Sequence, residues 1–134
     1  MIEEAYVSFE VAKLLKEKGF NEKCRGGYHS EFDDNDSPIV MLEEWMAQPY
    51  NNEFVDEGFL CSAPTHQMAM TWLREEKGIA IIPILSSICD NEKFFWHIKV
   101  VVAKNHKTYQ QGWVYEQFEN AIEAALKYTL ENLI

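Results

Sequence analysis

Between Ser62 and Ile82 the chain reads, without a gap, as helix start, amphipathic helix, helix stop and β-strand. Thr65 is placed to cap the helix, its hydroxyl accepting a hydrogen bond from a free N–H of the first turn. Ala69, Trp72 and Leu73 recur at helical spacing and form an apolar stripe. Gly78 suits the left-handed turn that ends helices, and the β-branched run Ile79 to Leu85 follows at once. A chain that switches from a period of 3.6 to a strand across one glycine must fold helix against sheet.

The remaining segments extend that pattern. Ser8 to Phe20 is a second punctuated helix, with Ser8 as cap, Val11, Ala12 and Leu15 as core stripe, Gly19 as stop, and Phe20 packing back on the last turn. Cys24 to Phe32 and Ile39 to Trp45 read as strands around the turn Asp33 to Pro38, and Phe59 to Ser62 as extended. Ile79 to Leu85 and Phe94 to Ala103 form a hairpin, with Trp96, Ile98, Val100 and Val102 on one face and His97 and Lys99 on the other. Pro83 predicts an edge strand or a bulge, and a short third strand is expected around Gly112-Trp113-Val114. The closing helix carries the stripe Phe118, Ala121, Ile122, Ala125, Leu126, Thr129, Leu130 and Leu133. The order is α-β-β-α-β-β-(β)-α, which predicts an α+β, two-layer fold with an antiparallel sheet and three helices. At 134 residues the expectation is a single domain, 1–134.

Charge narrows the function classes. The formal net charge is −10, and Gly26 to Leu73 contains nine acids and no Lys or Arg. Such a segment repels phosphate backbones and disfavours direct nucleic-acid binding, while it suits a basic protein surface or a divalent cation. Asp33, Asp34, Asp36, Glu43, Glu44 and Trp45 are the candidate partner-binding residues; a merely solvated acidic face is the plain alternative. Lys93, Lys99, Lys104, His106 and Lys107 make the far hairpin basic, so head-to-tail pairing into a homo-oligomer is a further expectation. The acidic start and the short apolar runs predict neither a signal peptide nor a membrane span, and point to the cytoplasm.

Specific chemistry is sparse. Ser62, Thr65 and His66 cluster at the start of the second helix, where free N–H groups and the helix dipole make an anion site; capping alone accounts for the same residues. Asp33-x-Asn35-x-Ser37 with Glu44 has the skeleton of a calcium loop, but Pro38 stands where a glycine is needed, so a hairpin turn is the reading and no metal is expected. Cys24, Cys61 and Cys89 are odd in number and widely spaced, which fits buried free thiols. The pairs Cys24 with His29 and Cys61 with His66 lack zinc spacing and any nucleophile signature. No catalytic residue and no cofactor are expected.

Ser8-x-Glu10-x-Ala12-x-x-Leu15-x-x-Lys18-Gly19-Phe20, Ser62-Ala63-Pro64-Thr65, Trp72-Leu73-Arg74-Glu75 and the Ala- and Glu-rich closing helix together resemble a group of small uncharacterised proteins of phages, prophages and mobile elements of gut bacteria. The resemblance spans nearly the whole chain. It implies a stand-alone protein of the bacterial host cytosol and transfers no catalytic role. The function expected is a non-catalytic protein-interaction module, an acidic inhibitor of a host or phage protein. The alternative is a binder of a small anion or nucleotide at Ser62, Thr65 and His66.

Overall fold

The structure, a computed structural model, describes residues 4–29, 40–41, 51–52, 59–88, 93–110 and 114–134. It has α1 (Phe9–Glu17), β1 (Gly26–His29), β2 (Val40–Met41), β3 (Phe59–Ala63), α2 (His66–Lys77), β4 (Ile79–Ile88), β5 (Phe94–Val102), β6 (Lys107–Gln110) and α3 (Phe118–Asn132). The fold is α+β with antiparallel sheets and three helices. The strands form two sheets, β2-β1-β3 and β4-β5-β6, one in each of two compact units, Met1–Met68 and Ala69–Ile134. The stretch expected as extended before Thr65 is strand β3.

In the first unit, α1 starts and stops by local chemistry. Ser8 Oγ accepts from Val11 N–H at 3.2 Å. At the other end Gly19 has φ +95°, its N–H donates to Lys16 O at 3.1 Å, and Phe20 N–H donates to Leu15 O at 2.9 Å. This is the paired closure that satisfies a helix's last carbonyls, and Leu15 and Phe20 are buried with it. The helix packs on β3, which pairs with β1 in the register Ser62↔Gly27 and Cys61↔Tyr28. Tyr28 donates its hydroxyl proton to Val7 O at 2.6 Å and tilts its ring against Phe9, with centroids 5.2 Å apart.

In the second unit α3 lies on the sheet β4-β5-β6. Ile79↔Val102, Ile81↔Val100 and Pro83↔Ile98 are paired, and α3 packs on β4 and β5. Ile98, Val100, Ala121, Ile122, Ala125, Leu126 and Leu130 are buried. Among the described residues β4 lies at the edge of its sheet, and it has a bulge two residues past Pro83, between Leu85 and Ser87. The third strand of this sheet is β6, at Lys107–Gln110; of the stretch Gly112 to Val114, Gly112 and Trp113 lie outside the described residues and Val114 is in no strand. Ala103 to His106 make the tight turn between β5 and β6, with His106 in the left-handed region at φ 58°.

Candidate functional site

The start of α2 brings Ser62, Thr65 and His66 together in a buried place, exposed by only 2%, 7% and 6%. Thr65 Oγ1 accepts from Met68 N–H at 3.1 Å, and His66 N–H donates to Ala5 O at 2.9 Å. Two of the first-turn donors that make a helix start attractive to anions therefore already have partners in the chain. Ser62 N–H donates to Asn52 Oδ1 at 2.9 Å, while its hydroxyl is buried without a well-formed hydrogen bond.

Beside this group lie two free thiols, Cys24 and Cys61, both buried. Burial pushes each up to about 11. The nearby Ser62 hydroxyl opposes that shift at Cys24, and Lys16 and Lys13 oppose it at Cys61, but desolvation is the largest influence on both. Thiols held this far up are protonated at neutral pH and are poor nucleophiles. Among the described residues, no three His, Cys, Asp or Glu side chains converge as metal ligands.

A more open arrangement occurs at one end of the second unit, and its origin is a mismatch of lengths. α3 has 15 residues, about 22 Å at the helical rise. β5 has 9 residues, about 30 Å at the strand rise. The two run in the same direction: Phe118, the first residue of α3, meets Trp96 edge-on at 5.1 Å, and Ala121 to Tyr128 cover Ile98 and Val100. Phe94 is two residues before Trp96 on the same strand face, past the start of the helix, and is 51% exposed. Leu85, the cross-strand partner of Trp96, is 44% exposed, and Val114 is 55% exposed.

Trp96 anchors this end. Its N–H and C=O both bond to Tyr115, each at 2.7 Å, and its ring lies 6.3 Å from that of Phe94. An open recess is lined by Lys93, Phe94, Trp96, Glu116 and Gln117. Lys93 Nζ and Glu116 Oε1 close one side with a 2.8 Å ion pair. A rigid aromatic floor with an exposed apolar lip and a charged rim is suited to protein contact. Its chemistry was not singled out as a site from the sequence, because Phe94 and Trp96 have the spacing of core residues and only the length of α3 leaves one of them bare.

The acidic candidates Asp33, Asp34, Asp36, Glu43 and Glu44, and with them Trp45, lie outside the described residues, as do Cys89 and Trp113. Among the described residues no helix is long and apolar enough to cross a membrane. No family model, curated protein or solved structure matches this chain.

Proposed function

We propose that this chain is a non-catalytic protein-interaction module whose contact surface includes the apolar end of the β4–β5 hairpin. The observation that carries this reading is the exposure of Phe94, Leu85 and Val114 around the half-buried Trp96, beside the Lys93–Glu116 pair. Aromatic anchors enclosed by polar residues are the side chains that contribute most at protein interfaces. The nine acids of Gly26 to Leu73 favour a basic partner, approached through long-range attraction that salt screens. The resemblance to small phage and mobile-element proteins adds a host or phage protein as the kind of partner, in a bacterial cytosol.

A pull-down with the immobilised chain at two salt concentrations tests this. Phe94→Asp should reduce capture of the same partner by about tenfold or more, the loss of one apolar anchor, with the circular dichroism unchanged. Replacing Asp33, Asp34, Asp36, Glu43 and Glu44 by their amides should remove the salt-sensitive part of capture. The alternative, an anion bound at Ser62, Thr65 and His66, is favoured by the buried Ser62 hydroxyl, which has no well-formed hydrogen bond. It predicts that those variants change nothing while altering Thr65 and His66 abolishes binding. Capture that is equal for wild type, Phe94→Asp and the amide variant overturns the proposal.

A further inference from the structure

The main-chain phase of β4 gives Pro83 a particular place. Trp96 of β5 exchanges both hydrogen bonds with Tyr115, so its N–H and C=O face away from β4. Main-chain groups alternate along a strand, so those of Ile98 and Val100 face the same way and those of His97, Lys99 and Val101 face β4. The bond from Ala103 N–H to Gly78 O, at 2.9 Å, has the same phase. With the register Ile84↔His97, Ile82↔Lys99 and Ala80↔Val101, these are the pairs that exchange bonds across the hairpin. Ile79, Ile81, Pro83 and Leu85 therefore direct their main-chain groups to the other side of β4. Among the described residues no strand pairs with that side. Pro83 removes a donor from the middle of this free row and breaks no bond to β5.

The outer edge of β3 is managed differently. On β3, Ser62 N–H is taken by Asn52 Oδ1 at 2.9 Å and Leu60 O by Lys16 Nζ at 2.6 Å. Just beyond the strand, Pro64 O accepts from Val7 N–H at 3.0 Å. β6, the opposite edge of the second sheet, has 4 residues and begins with the exposed Lys107. Short, lysine-bearing or side-chain-capped edges resist pairing with another chain. β4 has neither short length nor charge: it is 10 residues of IAIIPILSSI.

We propose that Pro83 is the guard that keeps the free edge of β4 from adding a strand of a second copy of this chain. A second copy is the occupant the edge fits best, because an antiparallel β4–β4 pair is self-complementary and Ile79 to Leu85 is an apolar, β-branched strand. Two such strands meeting about Pro83 place two missing donors opposite each other. This inference is independent of the contact surface proposed above.

Sedimentation velocity on wild type and Pro83→Val over a wide concentration range tests it, with circular dichroism as the check on folding. The variant should associate at a concentration about tenfold or more below that needed by wild type, the effect of one or two restored hydrogen bonds. In wild type, amide exchange at Ile81 and Leu85 should be faster than at Ile82 and Ile84 by about a hundredfold. A folded variant that sediments as wild type does overturns the proposal. Equal protection at Ile81, Leu85, Ile82 and Ile84 also overturns it, and that measurement needs no variant.

Discussion

Thr65 and Gly78 bound α2 by different physical means, and each makes a separate demand on its residue. Thr65 supplies an acceptor for Met68 N–H at 3.1 Å, so Thr65→Ala should cost about 1 kcal/mol. Gly78 sits at φ +65°, and a Cβ there would meet Ala103 Cβ at 3.7 Å, an ordinary contact. Gly78→Val therefore carries backbone strain at this positive φ, and chemical denaturation should show its cost to be larger than that of Thr65→Ala. The two cysteines make a prediction about pH. Folding raises each thiol from 9.0 to about 11, which favours the protonated form in the native state. Below pH 9 that contribution is fully present; as pH rises from 9 toward 11 the unfolded chain loses the protons first, and stability falls. Urea midpoints across that range should decline and should decline less in Cys24→Ser. Both caps were legible in the sequence because a cap acts over three or four residues. The burial of the thiols was an expectation from their odd number; their neighbours Ser62, Lys13 and Lys16 come from other elements.

At the scale of elements, the three helices follow their stripes because a helix face is set by spacing alone. Ala69, Trp72 and Leu73 are all buried, and Trp72 is 7% exposed with Lys77 Nζ 5.4 Å from its ring centre. Trp72→Ala should cost about 3–5 kcal/mol in a denaturation experiment by emptying an aromatic-sized space. Phe94→Ala, at a position 51% exposed, should cost well under half as much. A Trp72→Ala variant as stable as wild type would place that side chain in an interface instead. Strand β6, Lys107-Thr108-Tyr109-Gln110, is polar and has no apolar alternation to mark it in the sequence. A strand that pairs at an edge needs main-chain partners more than it needs apolar side chains.

For the whole molecule, the consequential feature is that β1 to β3 and β4 to β6 close into separate three-stranded sheets. Each sheet has two edges to protect and one helix-covered face to fill, and α3 falls short of the hairpin it covers. The exposed end at Leu85, Phe94 and Val114 and the guarded edge at Pro83 follow from that geometry. They divide the ways another chain can approach: contact through side chains is open, and addition of a strand to β4 is not. Phe94→Asp and Pro83→Val therefore act in opposite directions, the first reducing partner capture and the second creating self-association.

By itself the sequence determined the fold class, the helix boundaries and nearly all the strands, since capping, glycine stops and hydrophobic period are interactions between residues a few positions apart. It also determined the acidic charge from Gly26 to Leu73, which is a matter of composition. Tertiary structure alone decided that the strands form two sheets, that Ser62, Thr65 and His66 are buried, and that Trp96 is covered by Phe118 while Phe94 is left bare. Those outcomes depend on which element lies over which, and on the difference between a rise of about 1.5 Å per helical residue and about 3.3 Å per strand residue, so no local pattern records them.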